Sequence, residues 1–228
     1  MTTTLITGAN KGLGLETARQ LVAAGHTVWL GSRDKARGER AVAEVGGRLV
    51  ELDVTDDASV AAAVETVGSL DVLINNAGIM DYPWTPVEDV TPDLIHRIYE
   101  TNVVGLVRTT HAFLPLLAES ANPVVVNVGS SLGSMGRVST PGLPENELTA
   151  MAYGASKAAV NMITVHYAKS FPGFRVNCVV PGYVATDLNQ HSGPLSVSEG
   201  AVIIVQMACL GPDGPTGTYC DVDGMLPW

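Results

Sequence analysis

Thr3-Thr4-Leu5-Ile6-Thr7-Gly8-Ala9-Asn10-Lys11-Gly12-Leu13-Gly14-Leu15 is the stretch whose reading decides the fold. Thr3–Thr7 is a short β-branched and apolar run, three glycines interrupt it, and a helix-like pattern then runs from Leu13 to Ala24. Glycine lets the chain turn tightly and come close to a pyrophosphate, and the start of the helix offers free N–H groups to the same anion. An ordinary tight turn has the same glycines, so the stretch gains its meaning only together with the elements downstream of it.

Working outward, strand-like runs at Thr3–Thr7, Thr27–Leu30, Arg48–Leu52, Val72–Ile74, Val124–Val128 and Arg175–Val180 alternate with helix-like stretches. The latter are Leu13–Ala24, Lys35–Val45, Ala58–Thr66, Pro92–Leu117, Tyr153–Ser170 and Ser198–Ala208, and a last strand is expected near Thr218–Val222. Repeated βα units imply an α/β protein with a doubly wound parallel sheet, helices covering both faces. No repeat or linker divides the chain, so residues 1–228 are expected to form one domain. Two irregular stretches, Leu132–Ala152 and Asp187–Ser196, follow strands on the ligand-binding edge of such a sheet and are candidates for a substrate rim.

Composition narrows the classes. With 46% hydrophobic and only 16% charged residues the chain is that of a compact globular protein, not a disordered one. A formal net charge of -10 opposes nucleic acid and anionic membranes as partners, although local N–H groups and one or two cations still suffice for a phosphate. Cys178, Cys209 and Cys220 have no CxxC spacing and read as free thiols. His96, His111 and His166 sit in helical patterns without a ligand set, so no metal site is expected. No segment reaches the roughly 18 apolar residues of a membrane span. No basic leader precedes the first strand, and a cytoplasmic location is expected.

Several side chains point to chemistry. After the second strand, in Gly31-Ser32-Arg33-Asp34, an arginine stands where an acidic residue would meet a ribose 2′-hydroxyl, and it suits a 2′-phosphate instead. Lys11 is a second cation near the same place, whereas Asp34 is positioned to neutralise Arg33. Tyr153 and Lys157 are four positions apart, on one face of a helix. A phenol is a poor acid–base group near neutrality unless a cation such as Lys157 stabilises its phenolate. Ser130, at the end of a strand, is placed to hydrogen-bond a carbonyl oxygen, with Ser131 and Ser134 as competitors and turn-forming as the plain alternative.

In combination these residues resemble the short-chain dehydrogenase/reductase family over essentially the whole chain, its motifs occurring in the family's order. Gly8, Gly12 and Gly14 match the glycine motif, with Asn10, Lys11 and Leu13 beside it; Asp53-Val54 resembles the adenine-side Asp-Val; and Asn75-Asn76-Ala77-Gly78 matches the Asn-Asn-Ala-Gly motif. Asn102, Ser130, Tyr153 and Lys157 match the catalytic set, and Pro181-Gly182 through Val184 and Thr186 resemble the segment that holds the nicotinamide carboxamide. The resemblance implies a Rossmann fold, and Asn10-Lys11-Gly12, Gly31-Ser32-Arg33 and Asp221–Trp228 look most like the carbonyl-reductase subgroup, which implies NADP(H) as cofactor. Many members have a shorter span between the serine and the tyrosine than the 23 positions here (153 − 130 = 23), so Ser139–Ala150 looks like an insertion.

By the same resemblance the enzyme moves a hydride between the nicotinamide and a ketone, aldehyde, quinone or secondary alcohol. Tyr153 is then the proton donor, Ser130 orients the oxygen, Lys157 lowers the Tyr153 pKa and holds the ribose, and Asn102 positions a water. A 3-oxoacyl reductase and a non-catalytic NADP-binding sensor are the alternatives. Met135, Leu148, Tyr183 and Leu188 are candidates for an apolar pocket, and His191 for a substrate contact. A homo-oligomer, most simply a dimer, is expected.

Overall fold

A computed structural model describes the chain from Met1 to Trp228. Its eight strands, β1 (Thr3–Ile6), β2 (Thr27–Ser32), β3 (Arg48–Glu51), β4 (Val72–Asn75), β5 (Val124–Val128), β6 (Arg175–Val179), β7 (Tyr219–Asp221) and β8 (Gly224–Met225), form one sheet. The order is β3-β2-β1-β4-β5-β6-β7-β8, parallel throughout except for the terminal β7–β8 hairpin. This is the doubly wound parallel sheet that the alternation predicts. The turn to β8 lies beyond the pattern read from the sequence.

The strands are buried on both faces, as a parallel sheet requires. Along β5, Val124, Val126 and Val128 enter one core and Val125 the other. The first core packs the sheet against α1 (Gly12–Ala23), α2 (Lys35–Val45) and the last helix, α8 (Val197–Ala208). The second packs it against α3 (Asp57–Val67), α5 (Gly105–Ala118) and α7 (Met151–Ser170). Two shorter helices, α4 (Pro92–Tyr99) and α6 (Met135–Val138), lie nearer the site. No helix is long and apolar enough to cross a membrane.

Local chemistry sets the helix starts. Asp34 accepts from Arg37 N, Asp56 from Ala58 N and Ser59 N, and Thr91 from Leu94 N, while Ser196 and Glu199 form a capping box. The helix expected over Pro92–Leu117 is not continuous: a π-helical turn at Glu100–Val104 separates α4 from α5. Such turns hide inside an unbroken apolar pattern and are frequent at functional sites. The stretch expected to be irregular, Leu132–Ala152, contains α6, a 3₁₀ turn at Pro144–Glu147 and the start of α7. All three cysteines are free thiols.

Two buried asparagines from neighbouring strands tie the sheet beneath the site. Asn75 Nδ2 donates to Asn127 Oδ1 at 2.9 Å and to Thr110 Oγ1 at 3.0 Å, and Asn127 Nδ2 donates to Thr164 Oγ1 at 2.9 Å. The sheet order reverses between β1 and β4, so the loops leaving those strands flank the crevice in which such folds bind ligands.

Candidate active site

The glycine loop leaves β1 with Gly8 at φ 64°, a conformation that suits a residue without Cβ. Asn76 holds the loop: its Nδ2 donates to the carbonyls of Thr7 (2.9 Å) and Gly8 (3.2 Å), and Thr7 Oγ1 accepts from Asn76 N and Ala77 N. A Cβ at Gly14 would stand 2.5 Å from Asn76 Nδ2 and 2.7 Å from the Gly8 oxygen, so only glycine lets α1 start this close. Helix α1 has no side-chain cap and no acidic residue in its first turn. Its N-terminal N–H groups stay available to a phosphate, and this cradle fits a dinucleotide.

Around the cradle the residues expected from the motifs gather. Thr186 ends 3.8 Å from the place a Gly12 Cβ would take. Val184 is buried, joined to Leu195 by an isolated bridge. Asp53 takes two hydrogen bonds from Thr55. Desolvation pushes its carboxyl up, but those bonds together with Arg33 and Arg108 hold it below the usual carboxylate range. Val54 is buried, and its carbonyl accepts from Arg108.

Two expectations about charge change. Lys11 is not free: Nζ lies 2.8 Å from Asp187 Oδ2, and both side chains are exposed. Asp187 also faces His191 Nε2 at 3.0 Å, so the histidine expected to meet substrate faces a carboxylate instead. Asp34 does not neutralise Arg33. It caps α2 and pairs with Arg37 at 3.3 Å, which leaves the exposed Arg33 outside that pair.

The four residues of the expected catalytic set converge at the ends of β4 and β5 and on α7. Tyr153 is buried with Ser130 close to its hydroxyl; burial, opposed by the serine, pushes its pKa up to about 12. Lys157 is buried four residues on, where desolvation lowers it to about 8. Its Nζ donates to the Val128 carbonyl at 2.8 Å and lies 5.6 Å from the centre of the Tyr153 ring. In this arrangement the Lys157 ammonium is turned to a main-chain carbonyl, and burial dominates the Tyr153 phenol.

Asn102 sits in the π-helical turn. Its Oδ1 accepts from Ile79 N at 2.8 Å, and its Nδ2 donates to Ile79 O (2.9 Å) and Ser156 Oγ (3.0 Å), so the whole amide is engaged in holding the strand end against α7. A Cβ on Gly78 would lie 3.3 Å from Asn102 Oδ1 and 3.8 Å from Lys157 Nζ, which places the Asn-Asn-Ala-Gly segment directly beside the set. Ser130 Oγ accepts from Leu132 N at 3.3 Å. Of the competitors, Ser134 caps α6 and donates to Pro227 O.

Sequence reasoning passed over two aromatics. Trp84 lies 6.0 Å from Tyr153, ring centre to ring centre, and Tyr219 donates to the Ser130 carbonyl at 2.7 Å. Only the aromatic-Pro-aromatic run Tyr82-Pro83-Trp84, close behind the strand end, hinted at the first. The proposed apolar residues Met135, Leu148, Tyr183 and Leu188 are all exposed. A separate open cavity of about 610 Å³, lined by Asp81, Thr91, Arg97 and their neighbours, includes none of the four converging residues.

Comparison with known proteins gives the family and the fold. The family model described as short chain dehydrogenase matches residues 2–194. The (+)-neomenthol dehydrogenase of Arabidopsis thaliana is 34% identical, over 95% of this chain and 94% of its own. NADPH-bound carbonyl reductase from chicken fatty liver superposes with a TM-score of 0.88 at 26% identity, covering 100% of this chain and 99% of that one. A 3-ketoacyl-(acyl-carrier-protein) reductase from Brucella melitensis complexed with NADH gives 0.85 at 27% identity, covering 97% and 96%.

Proposed function

The chain belongs to the short-chain dehydrogenase/reductase family of oxidoreductases acting on carbonyl and alcohol groups, and from there we propose that it reduces a ketone, aldehyde or quinone with NADPH, Tyr153 donating the proton. The observation that carries this reading is the buried Tyr153 hydroxyl close to Ser130, with Lys157 on the same helix face and the Gly78 backbone beside them. The bound cofactor supplies the hydride. Residues 1–228 act in this reading as one catalytic domain.

The chain's own groups divide the work. Ser130 orients and polarises the carbonyl oxygen, and Tyr153, whose pKa of about 12 keeps it protonated near neutrality, delivers the proton to that oxygen. Lys157 keeps a cation beside the phenol and is placed to meet the nicotinamide ribose. Asn102 fixes the Ile79 backbone against α7 and so would steady the wall of the site on the nicotinamide side. Gly8, Asn10, Gly12, Leu13 and Gly14 would receive the pyrophosphate side; Asp53 and Val54 would flank the adenine, with Lys11 on its 2′-phosphate side; Asn76, Ala77, Gly78, Pro181, Gly182, Val184 and Thr186 would enclose the nicotinamide half. Arg33 grips the 2′-phosphate.

The likeness to the NADH-complexed reductase from Brucella supports a second reading, 3-oxoacyl reduction on a carrier protein. An acidic carrier docks poorly on a chain of net charge -10, which favours a free small-molecule carbonyl. Monitoring NADPH and NADH consumption with a panel of ketones, quinones, aldehydes and 3-oxoacyl thioesters decides between them. Turnover of free carbonyls with NADPH is expected, and exclusive turnover of carrier-linked thioesters would refute the first reading.

A further inference from the structure

Three side chains meet the Tyr153 ring and hydroxyl or lie against them: the Ser130 hydroxyl, the Lys157 ammonium one turn along the helix, and the Trp84 indole. The first two are polar and serve the carbonyl oxygen. The indole offers an apolar surface, and no step of the chemistry above uses it.

Trp84 is held there by more than its own packing. The indole is tilted by 31° to the Tyr153 ring at 6.0 Å, and Tyr82 meets it edge-on at 5.5 Å and 86°. The Tyr82 hydroxyl lies close enough to Ser192 and Tyr183, which are hydrogen-bonded to each other at 2.5 Å in the segment after β6, for them to lower its pKa. Aromatic rings therefore lace the loop after β4 to the loop after β6 across the catalytic tyrosine. Tyr82 and Trp84 are each part-exposed and Tyr183 is exposed, so the indole keeps a free surface at the mouth.

The indole, 6.0 Å from the Tyr153 ring, offers a flat apolar surface to the carbon skeleton of a carbonyl held at Ser130 and Tyr153. A rigid ring presents one flat face and gains offset-stacked contact with no rotamers to freeze, whereas an open chain covers less of the indole and loses torsional freedom on binding. We propose that Trp84 is a specificity-determining residue that selects carbonyls carried on or fused to a ring, cyclic and aryl ketones and quinones, over open-chain ketones and acyl chains. This deepens the preceding reading and rests on Tyr153 being the proton donor.

The test compares a fused-ring ketone, tetralone, with a straight-chain methyl ketone of equal carbon count, at saturating NADPH. Trp84→Ala lowers the ring-to-chain ratio of kcat/KM by about tenfold, through loss on the ring ketone, while Trp84→Phe keeps it within about threefold. In the dead-end complex with NADP⁺, calorimetry finds tetralone bound about tenfold more weakly by Trp84→Ala, with NADP⁺ affinity unchanged. A ratio unaltered by Trp84→Ala, or a Phe variant as impaired as the Ala variant, overturns the assignment. Tyr153→Phe run alongside separates the two claims: if it abolishes turnover of both ketones while the Trp84 ratio stays fixed, only the specificity assignment falls; if it turns over normally, the proton-donor reading falls instead.

Discussion

The Tyr219 hydroxyl donates a 2.7 Å hydrogen bond to the main-chain carbonyl of Ser130, so the last parallel strand holds the residue that faces the substrate oxygen. Tyr219 is fully buried, its ring stacked on Trp228 at 5.3 Å, and burial raises its pKa far enough that it is always a donor. The tail closes the arrangement: Ser134 Oγ donates to Pro227 O, and Gly136 N donates to Trp228 O.

Tyr219→Phe keeps the stacked ring and deletes this bond, leaving the Ser130 carbonyl to the Gly133 N–H, at a cost of about 0.5–1.5 kcal/mol. Denaturant unfolding should show that loss. Because the displaced group is Ser130, kcat for ketone reduction should fall while NADPH affinity holds. Equal losses in cofactor affinity and kcat would mark Tyr219 as general support only.

The cofactor prediction comes from the separation of Arg33 and Asp34. With Asp34 paired to Arg37, the Arg33 guanidinium is left to a 2′-phosphate, a charge-assisted contact contributing about 1.5–3 kcal/mol, or about a 10- to 150-fold preference for NADPH. Arg33→Asp should reverse it by removing the attraction and adding repulsion. Lys11 reaches the phosphate only by leaving Asp187, so Asp187→Asn should tighten NADPH binding without affecting NADH. The ratio of kcat/KM for the two cofactors checks both variants; a parent that prefers NADH contradicts the assignment.

The pH profile should report Lys157. Burial lowers it to about 8, so it is an ammonium below that pH and neutral above, whereas Tyr153 at about 12 stays protonated throughout. Raising the pH through 8 removes the cation behind the proton donor. The kcat/KM for reduction should therefore be level below pH 8 and fall about tenfold per unit above it. An arginine stays charged over this range, so Lys157→Arg should be slower yet flat. A decline at the same pH in that variant would assign it to another group.

Association should bury apolar surface that this chain leaves open: Val107 on α5, Val104 just before it and Met162 on α7 are exposed. Light scattering at micromolar concentration should give a dimer, and a particle of 23.8 kDa would contradict that expectation.

Fold and site were legible in the sequence to different depths. The βα alternation set the strand ladder because strands buried on both faces read as continuous apolar runs, and the glycine loop and the Tyr153/Lys157 spacing are local patterns that survive folding unchanged. What stayed hidden depends on long-range placement. The π-helical turn at Asn102 does not disturb the apolar spacing, Lys11 meets Asp187 176 positions away, and Tyr219 reaches Ser130 across 89. Trp84 reads as a loop aromatic until α7 brings Tyr153 beneath it.

Tyr153→Phe tests the central claim most directly, because it retains the ring that packs against Trp84 and removes only the transferable proton. Single-turnover and steady-state rates on a ketone that the parent reduces should fall by about 10²–10⁴-fold, the scale of one positioned acid–base group, with NADPH affinity unchanged. A Phe variant that keeps near-parental turnover would contradict the assignment of Tyr153 as the proton donor.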